Sequence, residues 1–249
     1  MELVSAHRGE FAYAPPEAKA GSVIRISPEE AHHIFRVRRV RDNDKVWVTD
    51  GAGSVYECRV QPDHSLLVET HHPDFAESRV PLHLCCAILK GVANRDVVDA
   101  AVQLGVAELI FFAAQRSEGY LSEAAVAKLL RTAISALKQC GRARLPAITV
   151  SADLPAALLA LPSPSELFLA HLPEARLPED LGSSPDATVP RVLLVGPEGG
   201  LTDTEVEIVQ RHGCHLLRLA PARLRSETAV VAGLTFLLRL AGECRAFRD

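Results

Sequence analysis

Near the C-terminus, two short apolar runs are each followed by a loop, and the first of these loops is rich in glycine. Residues 192–195 lead into Gly-Pro-Glu-Gly-Gly at 196–200, and residues 216–219 lead into a second loop at 220–229. Continuous apolar runs of this length are typical of buried parallel strands. Ligands of open α/β sheets bind just past the carboxyl ends of such strands. The pair therefore predicts a parallel sheet whose glycine-rich loop lets a ligand lie on bare backbone.

The glycine-rich loop does not identify its ligand. It lacks the glycine spacing of a dinucleotide-binding fingerprint, and no Lys-Ser or Lys-Thr pair follows it as a P-loop requires. An ordinary tight turn and a ligand-binding loop are both consistent with these five residues taken alone.

Additional motifs make the pattern more specific. Residues 224–229 read Leu-Arg-Ser-Glu-Thr-Ala, and together with the glycine-rich loop they resemble the signature of the RsmE family, RNA methyltransferases of the SPOUT class. The resemblance covers almost the whole chain. It also includes segments 33–44, 90–95, 103–106, 115–117 and 139–142. Within 219–225 the chain departs from the family pattern, because Ala220, Ala222 and Arg223 replace Gly, Arg and Ile.

The resemblance implies both a fold and an activity. It implies an α/β fold, with a SPOUT-type parallel sheet closed by a C-terminal trefoil knot at 76–249 and a small PUA-like β-barrel that binds RNA at 1–75. It implies methylation of uridine N3 in small-subunit (16S) ribosomal RNA, with S-adenosylmethionine as the donor. It further implies a homodimer. The altered stretch 220–223 supports the alternative, a non-catalytic RNA-binding or ribosome-assembly protein on the same fold.

Composition limits the possible partners. The net charge of −4 over 249 residues excludes a general basic attraction to nucleic acid, so RNA contacts require local patches. The six cysteines form no Cys-x-x-Cys pair and are typical of a reducing compartment, so we expect no metal site. We expect no signal peptide and no membrane span, which indicates a cytoplasmic location.

The N-terminal part of the chain is predicted to be β-rich. Strands are expected at 22–26, 45–50, 55–60 and 65–69, spaced as in a small barrel. A short helix is expected to begin at Pro28, with Ser27 as N-cap and Glu30 completing a capping box. Residues 72–79 are the candidate linker.

From residue 81 the pattern changes to alternating strands and helices, which predicts a parallel α/β sheet. Strands are expected at 82–89, 109–112, 148–150, 166–171, 191–195 and 215–219. Helices are expected at 95–104, 122–140, 155–161, 202–213 and 227–240, and residues 172–190 are expected to form an irregular connection.

The resemblance suggests candidate residues for the reaction. Arg225 is the candidate that stabilises the anion developing on the uracil oxygens. The alternative is that Arg225 only pairs with Glu198 or Glu227 and braces the loops. Glu198 is either a general base or a residue that holds a loop. Three loops, beginning after residues 171, 195 and 219, are expected to hold the donor. The candidate cofactor-binding residues are Leu169, Ala170, His171, Val195, Gly196, Pro197, Glu198, Gly199, Gly200, Leu219, Leu224, Ser226, Thr228 and Ala229.

Two groups of basic and polar side chains are candidates for contacts with RNA phosphates. One lies in the N-terminal region and the other in the larger domain. They comprise Arg36, Arg38, Arg39, Lys90, Asn94, Arg95 and Arg142.

Overall fold

The computed structural model describes residues 10–171 and 189–244. The chain divides into two compact units. Unit 1 contains residues up to 77 together with 133–145, and unit 2 contains 78–132 and the residues from 146 onward. Within the described parts of the chain, no helix is long and apolar enough to cross a membrane.

Unit 1 is built on a curled sheet of six strands in the order β1-β4-β5-β6-β3-β2. Only β1 and β4 run parallel; the other neighbours are antiparallel. The strands are β1 Phe11–Tyr13, β2 Lys19–Ala20, β3 Val23–Ile24, β4 Lys45–Thr49, β5 Ser54–Val60 and β6 Leu66–Pro73. Side chains that alternate along β4 to β6 fill one apolar core, which includes Val46, Val48 and Leu66.

The short helix of unit 1 begins as predicted but differs in detail. Helix α1, Pro28–Ala31, is capped by the Ser27 side chain and continues into a π-helix, His32–Val37. The predicted capping box is wrong, because the Glu30 carboxylate does not return to the Ser27 backbone. It accepts instead from the Tyr13 N–H at 3.3 Å and from Lys138 Nζ at 2.5 Å.

Residues 74–77, inside the predicted linker, are held within unit 1 by side-chain contacts. Arg142 Nη2 donates to Glu77 Oε2 at 2.7 Å, and Glu77 Oε1 accepts from the backbone N–H groups of Ala143 and Arg144. Arg144 Nη2 pairs with Asp74 at 2.6 Å. The Arg142 side chain is 3% exposed, so the Arg142–Glu77 pair is shielded from water. Removing one partner would leave the other as a buried, unpaired charge.

Unit 2 contains a sheet of six parallel strands in the order β12-β10-β11-β7-β8-β9. The strands are β7 Leu82–Ala87, β8 Val106–Phe112, β9 Ala147–Ser151, β10 Glu166–Ala170, β11 Arg191–Val195 and β12 His215–Leu217. The helices are α2 Ala93–Gln103, α3 Glu123–Cys140, α4 Leu154–Ala160, α5 Asp203–Arg211 and α6 Ser226–Leu240. Residues of α3 from 133 onward group with unit 1.

Helix α6 packs closely on the centre of the parallel sheet. A Cβ added at Gly233 would lie 2.7 Å from the Leu193 side chain, so only glycine permits this approach. The fully buried Arg191 of β11 pairs with Glu166 at 3.1 Å and donates to the Leu237 carbonyl of α6 at 3.4 Å. These contacts fix the helix whose N-terminus borders the site described below.

The predicted irregular connection 172–190 lies almost wholly outside the described residues, which resume at 189. The first of the three predicted donor-binding loops, which begins after His171, lies there too. The candidate site is therefore described from the second and third loops.

Candidate active site

A cavity of about 950 Å³ lies within unit 2, where strands β10, β11 and β12 end. The parallel strands place the loops that follow them at one edge of the sheet. Most of the predicted catalytic and donor-binding residues line this cavity. They are Ala170, His171, Val195, Gly196, Pro197, Glu198, Gly200, Leu219, Leu224, Arg225, Ser226 and Ala229.

Three predicted donor-binding residues do not line the cavity. Leu169 is fully buried in the core with Leu194 and Val209, because alternate residues of β10 face opposite sides of the sheet. Gly199 lies against Arg116, where an added Cβ would be 3.2 Å from the Arg116 side chain. Thr228 is exposed on α6. Leu169 therefore faces the core and not the cavity.

The glycine loop, defined here as residues 196–201, is a tight turn. The Gly200 N–H donates to the Pro197 carbonyl at 2.8 Å, and Gly200 has φ of +72°, which favours glycine. A Cβ at Gly196 would lie 3.0 Å from the Leu201 side chain and 3.3 Å from the Leu201 nitrogen. Packing against Leu201 therefore requires glycine at position 196. Glycine has no side chain, so it leaves the backbone of this cavity-lining residue uncovered.

Side chains from other elements hold the glycine loop. Arg116 Nη1 donates to the carbonyls of Gly199 and Leu201, at 3.2 and 3.3 Å. The Ser226 hydroxyl donates to the Gly196 carbonyl at 3.0 Å, which ties the start of α6 to the loop. These carbonyls are satisfied by protein groups, so the loop has hydrogen-bond partners without a ligand.

The helix after the glycine loop fixes its exit. Thr202 and Glu205 form a capping box at the start of α5, with the Thr202 N–H donating to Glu205 Oε2 at 2.8 Å. The buried Glu205 also accepts from the Gln115 N–H through Oε1 at 2.9 Å. The loop after β8 is thereby attached to the same carboxylate.

Glu198 is engaged on its side chain and on its backbone. Its Oε1 accepts from the Lys90 N–H at 2.9 Å, and its carbonyl accepts from Arg223 Nη2 at 2.5 Å. The pKa of Lys90 is raised, first by its hydrogen bond to Glu118 and also by the Glu198 charge, so Lys90 stays protonated. These contacts fit the loop-holding alternative for Glu198.

The arginine loop, defined here as residues 218–225, also lines the cavity. Arg218 donates within this loop, to the carbonyls of Ala220 and Pro221. The Arg225 side chain is 86% exposed, and its nearest carboxylate oxygen is Glu227 Oε1 at 4.0 Å. A contact this long and exposed is weak, so the Arg225 guanidinium remains available to a ligand.

The predicted RNA contacts separate into exposed and buried residues. Arg36, Arg38, Arg39, Lys90 and Arg95 are exposed.

Two others are buried and have structural partners. Asn94 is 5% exposed, and its amide accepts from the Leu89 N–H at 2.9 Å and donates to the Leu89 carbonyl at 2.7 Å. Arg142 is buried against Glu77. We therefore assign Asn94 and Arg142 structural roles in place of the predicted RNA contacts.

Several cavity residues were not predicted. They are Ala93, Arg116, Leu201, Asp203, Leu217, Ala220, Ala222, Arg223 and Glu227. Arg116 lies in segment 115–117, which carries the family resemblance. Arg223 is one of the positions at which the chain departs from the family pattern. In residues 10–171 and 189–244, no cluster of three or more His, Cys, Asp or Glu side chains is arranged to hold a metal ion.

Family models match most of the chain. Residues 76–238 match an RNA methyltransferase domain, and residues 26–70 match an RNA methyltransferase PUA domain.

Relatives of similar length carry a consistent name. The ribosomal RNA small subunit methyltransferase E of Aquifex aeolicus is 27% identical over 232 residues, which is 89% of this chain and 96% of that protein. The Bacillus subtilis protein of the same name is 25% identical, with 84% and 87% covered.

Solved structures show the same fold. A Legionella pneumophila protein, described as a methyltransferase and solved with bound S-adenosylmethionine, superposes with a TM-score of 0.80 at 26% identity, covering 93% of this chain and 98% of that one. The small subunit methyltransferase E of Neisseria gonorrhoeae superposes with a TM-score of 0.82 at 24% identity, covering 94% and 98%. The resemblance seen in the sequence is confirmed, and the chain belongs to the RNA methyltransferase family.

Proposed function

We propose that this protein transfers the methyl group of S-adenosylmethionine to N3 of a uridine in small-subunit ribosomal RNA. One observation carries the proposal: the cavity at the ends of β10 to β12 is lined both by the glycine loop and by Arg225, whose side chain is 86% exposed. This arrangement occurs in a chain of the RNA methyltransferase family.

The residues around the cavity fit such a donor. Leu217, Leu219 and Leu224 give the cavity apolar surface for an adenine ring, and the glycine loop offers backbone groups for the polar parts of the donor. The volume of about 950 Å³ leaves space for an acceptor base beside the donor. The Legionella neighbour, solved with S-adenosylmethionine, supports the same choice of donor.

The chemistry assigns separate tasks to the protein. The donor supplies an activated methyl group on sulfur, so the reaction needs no metal. The protein must orient uridine N3 and accommodate the loss of the N3 proton as the N–C bond forms. The electron pair released at N3 delocalises onto the two flanking carbonyl oxygens. An exposed guanidinium at Arg225 can stabilise that charge.

Glu198 is assigned to loop support. Its carboxylate already accepts from the Lys90 N–H, and its backbone carbonyl accepts from Arg223. In this assignment the N3 proton leaves to solvent, and Glu198 keeps the glycine loop next to the loop after β7. A general-base role for Glu198 would use Oε2, the carboxylate oxygen that does not accept from the Lys90 N–H.

Contacts between Arg223 and the glycine loop also argue against the non-catalytic alternative. That alternative rests on the departures at 220–223. Arg223 at one of these positions donates to the Glu198 carbonyl, and Ala220 and Ala222 line the cavity. The altered stretch therefore forms part of the cavity wall rather than filling it.

The N-terminal region is assigned to RNA binding. The match of residues 26–70 to a PUA domain and the exposed Arg36, Arg38 and Arg39 support this role. The domain arrangement 1–75 and 76–249 stays a prediction, as does the small ribosomal subunit as partner.

The trefoil knot, the homodimer and the cytoplasmic location also belong to this proposal. Strand β12 follows β11 in the chain yet pairs with β10, and the arginine loop then returns to Glu198, a path consistent with a threaded segment. Helix α6 leaves Val231 exposed and Phe236 and Leu238 half-buried, which suits a subunit contact.

Mass spectrometry of ribosomal RNA nucleosides from a deletion strain tests the proposal. We expect N3-methyluridine to disappear from small-subunit RNA and to return when the wild-type gene is supplied. A strain that receives Arg225→Ala serves as the matched control and should not recover it. An unchanged N3-methyluridine content in the deletion strain would refute the assigned reaction.

A further inference from the structure

Two apolar side chains are exposed on loops that lie beside the cavity. Tyr120 is 84% exposed and follows β8, and Val92 is 73% exposed and follows β7. Both strands are parallel to β11, so both loops lie at the edge of the sheet that carries the cavity.

The loops that carry Tyr120 and Val92 are joined. A Cβ placed at Gly119 would lie 3.1 Å from the Leu89 carbonyl oxygen, and Lys90 Nζ donates to Glu118 Oε2 at 2.7 Å. The neighbour of Tyr120 in sequence is therefore in contact with the loop of Val92. The segments that carry the two apolar side chains are thus in contact, and Tyr120 and Val92 are together called the platform.

The platform is continuous with the cavity. Ala93, next to Val92, lines the cavity, and the Lys90 N–H donates to Glu198 of the glycine loop. Arg116, four residues before Tyr120, lines the cavity and holds the glycine loop. If one unit of a polymer occupies the cavity, the adjacent unit can therefore lie over the platform.

The charge around the platform favours a polyanion. Lys90, Arg95 and Arg116 are exposed cations on these two segments, against the exposed Asp96 and Glu118. The local balance is positive in a chain whose net charge is −4. Cations beside an exposed aromatic ring are the combination used to bind single-stranded nucleic acid, because the ring stacks on a base and the cations contact phosphates.

We propose that Tyr120 stacks on the base adjacent to the target uridine, with Val92 packing beside it. This inference rests on the proposed function for the identity of the RNA, and it makes Tyr120 a residue that determines which sequence context is accepted. A target base must leave its stack to enter the cavity, and a ring that receives the neighbouring base compensates for the lost stacking.

Binding measurements on the full chain test this inference without requiring turnover. The variants are Tyr120→Ala, which removes the ring, and Tyr120→Phe, which keeps it. Leu159→Ala is the matched control, because Leu159 is 85% exposed in the same unit, on α4, and does not line the cavity. The probes are a 16S ribosomal RNA transcript and small subunits isolated from the deletion strain.

We expect Tyr120→Ala to bind both probes on the order of tenfold more weakly, the size of effect seen when a stacking ring is removed. Tyr120→Phe and Leu159→Ala should bind as the wild type does. Binding of S-adenosylmethionine, measured by calorimetry, should be the same in all four proteins.

Other outcomes overturn the inference. Wild-type affinity of Tyr120→Ala for both probes would exclude a stacking role, and weaker binding to subunits alone would indicate a ribosomal protein as the partner. A change in oligomeric mass in Tyr120→Ala would indicate a second copy of this chain. If the wild type binds RNA but transfers no methyl group, the proposed function fails while the Tyr120 comparison still decides this inference.

Discussion

The two loops that form the cavity walls differ in what holds them. The glycine loop is held from outside by Arg116 and Ser226, and its carbonyls are satisfied by protein donors. The arginine loop is held mainly from within, by Arg218, and touches the glycine loop through Arg223. Its last arginine, Arg225, is almost fully exposed.

This difference separates two tasks. A backbone that is already ordered binds a ligand without a further entropic cost of ordering. This suits the methyl donor, which is the same molecule in every turnover. A free charged side chain can meet a substrate whose charge changes during the reaction. Changes in the glycine loop should therefore alter donor affinity, and changes at the exposed arginine should alter turnover.

The largest expected effect follows from Arg225→Ala. We expect kcat to fall about 100- to 1000-fold, the cost of removing a group that stabilises developing charge. Calorimetric affinity for S-adenosylmethionine should remain within about twofold of wild type, because the backbone on which the donor rests is unchanged. Near-normal turnover in this variant would show that Arg225 only borders the cavity.

The next largest effect is expected for Gly196→Val. The added atoms would meet Leu201 at 3.0 Å and displace the loop. Overpacking of about 1–3 kcal/mol corresponds to donor affinity weakened roughly tenfold or more. Gly213→Ala is the control, since Gly213 has positive φ with no neighbour within 4 Å and lies away from the cavity; it should cost stability but not affinity. Equal donor affinity in Gly196→Val and wild type would contradict a preformed loop.

Ser226→Ala should have a smaller effect. It removes the hydrogen bond from the Ser226 hydroxyl to the Gly196 carbonyl, worth about 1 kcal/mol. Donor affinity is expected to weaken roughly fivefold in a calorimetric titration, with kcat reduced less than in Arg225→Ala. A variant that binds the donor normally but turns over slowly would place Ser226 in the chemical step.

The smallest effect is expected for Glu198→Gln. The amide oxygen of glutamine can still accept from the Lys90 N–H, so the loop is retained while the capacity to take a proton is lost. Turnover should stay within about threefold of wild type between pH 7 and 8. A loss of more than 100-fold would identify Glu198 as the general base.

The periodic elements of unit 2 were well predicted because their signals are local. The predicted helix 202–213 begins at the capping box of Thr202 and Glu205, and the predicted helix 95–104 is followed by Gly105, which has positive φ. Unit 1 was harder, since β1 and β2 have three and two residues and show no alternation. The Glu30 carboxylate shows the same limit, because its partners Tyr13 and Lys138 are distant in sequence.

The sequence predicted the parts of the site that follow the ends of strands. It predicted less well which side chains face the cavity and which are buried in the core. The glycine loop, apart from Gly199, and residues 224–226 line the cavity. Whether Arg142 faces a ligand or the core depends on Glu77, 65 residues away in sequence, and no local pattern encodes that contact. Arg116 is positioned by contacts with carbonyls more than 80 residues away in sequence.

A crystal structure of the protein with S-adenosylmethionine tests most directly whether the glycine loop and the arginine loop form the donor site. We predict one donor per chain, with its adenosine between residues 196–201 and 217–224 and with the glycine loop in the conformation described above. Adenosine bound elsewhere, or a glycine loop rebuilt around it, would contradict a site formed before the donor arrives.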